Sequence, residues 1–142
     1  MANQRPVYRI DRNQLATQLT GPQGILVRTV AMVDRRVESN ASNKAPVDTG
    51  NLRRMIRQDP ITVTDLKASG GVTAHANYSA AVHNGSGPYV IRPRRAKALR
   101  FQIGPRTVFA AKVNHPGTRG RPFLANAARE EAARIGATYT PA

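Results

Sequence analysis

Early in the chain, apolar residues recur at helical spacing: Leu26, Val30, Val33 and Val37, with Arg28, Asp34, Arg35, Glu38 and Asn40 elsewhere on the wheel. The spacing predicts an amphipathic helix over 23–43. Its valines are β-branched and lower its intrinsic propensity, so packing must hold it in place. Pro22 suits the first turn of that helix. Ahead of it, residues 7–10 predict a short strand, and Asp11 is an N-cap for a brief helix through Leu19 that "TGPQG" interrupts. Pro46 ends the long helix, because a residue before proline is pushed out of the helical region. Asp48 or Thr49 then caps a short helical turn carrying Leu52, Met55 and Ile56, with Gly50 easing the bend.

The middle of the chain switches to alternation. Ile61 and Val63 alternate with threonines, residues 65–71 read as a hairpin turn, and Val72, Ala74, Ala76 and Tyr78 share one face of a returning strand. Residues 83–88 read as a Gly-rich flexible loop. Leu99, Phe101 and Ile103 alternate with Arg100 and Gln102, and "GPR" turns this strand into another over 108–113. A last helix starts at Pro122 and carries Leu124, Ala128, Ala132 and Ile135 on one stripe, with a Glu130–Arg134 pair at favourable spacing. The order predicts an α+β fold, in which a long N-terminal helix and a C-terminal helix pack on a small antiparallel β-sheet. Leu26, Val30, Val33, Leu99, Phe101, Phe123 and Leu124 are its expected core anchors. The expected organisation is one domain over 1–142, with an N-terminal arm at 1–21, a core at 22–137 and a flexible tail at 138–142.

Composition narrows the chemistry. The 142 residues hold no Cys, which excludes disulfides, thiolate metal sites and a thiol nucleophile. Aromatic residues make up only 5%, so aliphatic side chains must build the core. No window approaches about 18 consecutive apolar residues, so no membrane span is expected. The N-terminal sequence has no apolar signal region, which predicts a product made in the cytoplasm. The charge is +14, from 22 Lys and Arg against 8 Asp and Glu. Such a balance attracts polyanions or an acidic protein face.

No catalytic constellation emerges. His75, His83 and His115 form no metal-ligand spacing, and the Asp residues sit in turn or cap sequences where Asp is expected anyway. The chain is therefore read as a non-enzyme with no cofactor and no metal site. "HNGSGP" and "HPGTRG" match neither phosphate-loop pattern. "IRPRRAKALR" gathers Arg92, Arg94, Arg95, Lys97 and Arg100, a loop suited either to an acidic partner protein or to the DNA backbone. Arg119 and Arg121 fall at the positive end of the last helix, beside free helix-N-terminal amides. Cations there are unfavourable unless an acidic surface arrives.

Three segments, "APVDTGNLRRMI", "NYSAAVHNGS" and "HPGTRGRPFLANAA", occur in this order. Together they resemble the tail-component and head–tail joining (neck) family of long-tailed bacteriophages, of the siphovirus tail-completion type. The likeness spans about 23–135. Met55, "VHNGS" and Asn126 depart from the usual pattern of a small polar residue, "VEFGT" and a proline. The resemblance implies a structural virion protein of the phage neck, made in the host cytoplasm. It would form a cyclic ring that joins the DNA-filled head to the tail. It would contact other neck and tail proteins on its stopper or adaptor side and its tail-tube side, with non-specific contact to genomic DNA in the channel left open, and no membrane. Asp48, Thr49, Gly50, Arg53, Arg54, His83, Asn84, Gly85, His115, Arg119 and Arg121 would lie at subunit or ring boundaries. Asp48 would be the anion partner or cap, with an arginine opposite. A stand-alone nucleic-acid-binding protein gripping the phosphate backbone is the alternative, and a small hydrolase using His115 a third reading that nothing in the sequence calls for.

Overall fold

A computed structural model describes residues 9–140. The described chain divides into two compact units: residues up to Ala76 with those from Phe123 onward, and residues 77–122. Val7 and Tyr8 of the expected first strand lie outside the described residues, and Arg9 and Ile10 are irregular.

In the first unit, the Asp11 carboxylate accepts from the amides of Asn13 and Gln14 and starts α1 (Arg12–Thr20). The Gly24 amide donates to the Gly21 carbonyl at 2.7 Å. Pro22 is therefore the second residue of a tight turn, where its fixed φ fits, and not in the first turn of the next helix as expected. α2 (Ile25–Lys44) follows, and Ala45 leaves the helical region directly before Pro46. α3 (Asn51–Arg54) is a single turn, and the Thr49 hydroxyl, not Asp48, accepts from the Asn51 amide at 3.4 Å. The expected helix at Ile56 gives way to β1 (Ile56–Gln58), because this segment finds a strand partner further along. β2 (Thr62–Thr64) and β3 (Lys67–Ser69) form a hairpin in which Thr64 faces Lys67. The turn is thus shorter than 65–71. β4 (Val72–Ala74) returns to pair antiparallel with β1, Ile56 facing Ala74, and stops before Tyr78.

The second unit opens with α4 (Ser79–Asn84), which takes part of the segment read as a loop. Six strands follow: β5 (Gly85–Ser86), β6 (Tyr89–Ile91), β7 (Leu99–Ile103), β8 (Arg106–Ala110), β9 (Val113–His115) and β10 (Thr118–Arg119). They pair β5–β10, β6–β9 and β7–β8, each antiparallel. The pairs are nested, so the unit is one two-stranded ribbon interrupted along its length. At its tip, Gly104 has φ +59 and Pro105 cannot take a positive φ, which is the two-residue hairpin geometry with glycine first. The strand expected over 108–113 is split between β8 and β9. On the opposite side of the same break, residues 92–98 bulge out of the ribbon.

α5 (Phe123–Arg134) closes the first unit and packs along α2. It ends as the amides of Ala137 and Gly136 donate back to the carbonyls of Ala132 and Ala133. Its buried stripe is Phe123, Ala127 and Glu131, one position away from the expected one, and Ile135 is exposed. Small side chains at Ala41 and Ala127, both fully buried, let the two helices approach closely. Ala45, Leu52, Ile56 and Ala76 complete the core. Of the expected anchors only Phe123 is buried; Leu26, Val30, Val33, Leu99, Phe101 and Leu124 are half-buried. The reason for Leu99 and Phe101 is plain: no residue of 77–122 is fully buried, so the ribbon has no core of its own. The chain is α+β, with two long helices and small antiparallel sheets.

Candidate functional site

Two segments singled out in the sequence meet in the ribbon unit. The stretch from His83 to Gly87 and the stretch from His115 to Arg121 lie side by side through the β5–β10 ladder, with Arg119 facing Gly85. Glycines make this approach possible. A Cβ on Gly117 would lie 2.3 Å from the Ser86 carbonyl oxygen, and one on Gly120 would lie 2.6 Å from the Asn84 carbonyl carbon. The glycines therefore let two backbones touch, rather than cradle a ligand.

His115 is held structurally. Its Nδ1 accepts from the Gly117 amide at 3.0 Å, which leaves the ring proton on Nε2 in the neutral form. The ring stacks on Tyr89, its cross-strand partner, with centroids 4.8 Å apart. His83 donates from Nδ1 to the Asn84 side-chain oxygen at 2.8 Å. The Arg121 amide donates to the Val82 carbonyl at 2.8 Å, so it is not the free helix-N-terminal donor expected. The side chains of Arg119 and Arg121 are exposed.

Arg92, Arg94, Arg95, Lys97 and Arg100 are all exposed in or beside the bulge of the ribbon. Arg94, Arg95 and Arg100 border an open cleft of about 590 Å³. The remaining candidates, Asp48, Thr49, Gly50, Arg53 and Arg54, belong to the first unit. Asp48 is exposed, and among the described residues it makes no ion pair. Arg53 reaches the Asn43 carbonyl at 3.5 Å, at the outer limit of a hydrogen bond.

Two carboxylates are buried: Asp34, which the sequence placed off the apolar stripe of α2, and Glu131, to which it gave no role. Asp34 lies inside the α2 stripe, and one of its oxygens, Oδ2, has no hydrogen-bond partner. Burial pushes its carboxyl above the ordinary range, nearby Asp59 adds to this, and a hydrogen bond from the Gly71 backbone opposes it. Asp34 stands four residues after Val30, and that position on the apolar face was the available signal. Glu131, four residues after Ala127, is the second, and its Oε2 is likewise unpartnered. Arg134 pairs with Glu131 at 3.4 Å rather than with Glu130. Glu130 instead takes Lys44 at 2.8 Å, and hydrogen bonds from Lys44 and Asn40 hold its carboxyl below the ordinary range.

Among the described residues no group of three or more His, Cys, Asp or Glu could hold a metal ion, and no helix is long and apolar enough to cross a membrane. No protein-family model matches the chain, and no curated protein and no solved structure matches it at a significant level.

Proposed function

We propose that this chain is a structural, non-enzymatic protein of a bacteriophage neck, which assembles as a cyclic ring and joins a DNA-filled head to a tail. The observation that carries the reading is the ribbon unit without a core. Ile103 is 62% exposed and Phe109 66%, and no residue from 77 to 122 is fully buried. Two-stranded ribbons are at best marginally stable alone in water. Exposed apolar side chains on such an element call for cover by a neighbour. In a homo-oligomer the neighbour is a second copy, and head-to-tail contacts that close on themselves make a ring. The three sequence motifs described above support the same reading, since two of them meet in the ribbon.

On this reading, Arg119 and Arg121 face an acidic surface of an adjoining subunit or neck protein, and the protein resides in the virion after synthesis in the host. Sedimentation of the purified chain tests it. A discrete oligomer that shifts to monomer in Ile103→Ser, on the ladder face opposite Arg100, supports the reading, whereas a monomer throughout the accessible concentrations removes it.

A further inference from the structure

The charge of this protein is not spread evenly. Residues 77–122 contain Arg92, Arg94, Arg95, Lys97, Arg100, Arg106, Lys112, Arg119 and Arg121, and not one Asp or Glu. All nine cations are exposed. Among the described residues none of them enters an ion pair; both ion pairs lie in the first unit. All eight acidic residues of the chain are outside this segment. A stretch folded as its own compact unit with only one sign of charge repels itself unless a polyanion is near.

The charge also has a shape. The tip ladder pairs Arg100 with Phe109 and Gln102 with Thr107, so these four side chains share one face of the ribbon. At the foot of that ladder the bulge adds Arg94 and Arg95, which border the cleft together with Arg100. A two-stranded antiparallel ribbon is an element that the DNA major groove admits. Guanidinium groups take phosphate oxygens in a bidentate fork.

We infer that the ribbon unit is a duplex-DNA-binding arm, which lays its cationic face along the groove and neutralises backbone phosphates with Arg94, Arg95, Arg100 and the adjoining Arg92 and Lys97. Duplex is favoured over single strands, which are held by rows of free aromatic rings. Here the cationic face of the ladder presents one ring, Phe109, rather than a row, and Tyr89 is stacked on His115. For Arg94, Arg95 and Arg100 duplex is favoured over an acidic protein by shape, because they lie on or beside a two-stranded ribbon of the kind the major groove admits. Contacts made to backbone phosphates carry no sequence information, so the binding is independent of sequence and steeply salt-dependent. The inference does not rest on the neck reading: a monomer that binds DNA would sink the ring and leave the arm, and a ring indifferent to DNA would do the reverse.

The test is fluorescence anisotropy of the full-length protein with a labelled duplex of mixed sequence, titrated between roughly 50 and 200 mM salt. Wild type should bind with a steep log–log salt slope. Arg94→Ala/Arg95→Ala/Arg100→Ala should flatten that slope by about 3, close to one unit per lost phosphate contact. Arg94→Lys/Arg95→Lys/Arg100→Lys keeps the charge and should keep the slope. The control, Arg12→Ala/Arg28→Ala/Arg35→Ala, removes the same charge from the first unit and should leave the slope near wild type. Three results would overturn the inference: no binding at low salt, equal loss in the control, or displacement of the duplex by polyglutamate as readily as by unlabelled duplex.

Discussion

Asp34 is the residue on which the stability of the first unit turns with pH. Its carboxyl is raised above the ordinary 3.8 by burial and by Asp59. Between 3.8 and the raised value the folded chain binds the extra proton, so stability increases as pH falls through that window, and ionised Asp34 weighs against folding at neutral pH. Asp34→Asn keeps an acceptor for the Gly71 backbone and removes the charge. The variant should melt above wild type at neutral pH, and the gap should close on acidification; a gap that stays constant with pH would contradict this. Gly70 packs against the same carboxylate, since a Cβ there would lie 2.0 Å from Asp34 Oδ2. Phe123 is the other decisive residue, 2% exposed at the start of the last helix. Phe123→Ala should lower stability by about 3–5 kcal/mol in denaturant titration, and a loss below about 1 kcal/mol would show that the site is not the core anchor argued here.

At the scale of elements, the glycine contact between the two ribbon segments is the feature most sensitive to a single methyl group. Gly117 has φ +91 and touches the Ser86 carbonyl, whereas a Cβ on Gly87 would meet nothing within 4 Å. Gly117→Ala should open the β5–β10 ladder and speed amide exchange at Thr118 and Arg119, while Gly87→Ala should leave both unchanged. Equal exchange in the two variants would mean that the close approach is not what holds the ladder.

The elements also mark what could be read without a structure. Helix α2 was legible because its apolar spacing runs over many turns, and α1 because Asp11 is a good cap. The ribbon tip was legible because Leu99, Phe101 and Ile103 alternate cleanly around a Gly-Pro turn. β1 was not, since three residues after a helical turn carry too little pattern, and only pairing with β4 makes them a strand. The stripe of α5 was misplaced by one position because Leu124 outranks Ala127 in hydrophobicity, while close approach to Ala41 on α2 selects the smaller residue. The meeting of "HNGSG" and "HPGTRG" could not be read from spacing, because a contact between distant glycines leaves no local period.

For the whole molecule, the segregation of charge and of core defines the problem the protein poses. Among the described residues the first unit holds every fully buried one, and it holds every acidic group of the chain. The ribbon holds neither and exposes Ile103, Phe109, Val90 and nine cations. A ribbon so built is explained when neighbouring copies cover its apolar side chains and a polyanion or acidic surface answers its charge. The most direct measurement is native mass spectrometry of the full chain, with negative-stain imaging of the same sample. Assembly into a neck ring predicts one dominant closed stoichiometry, with class averages showing cyclic symmetry. A monomer at every concentration, or an open series of oligomers that never closes, would contradict it.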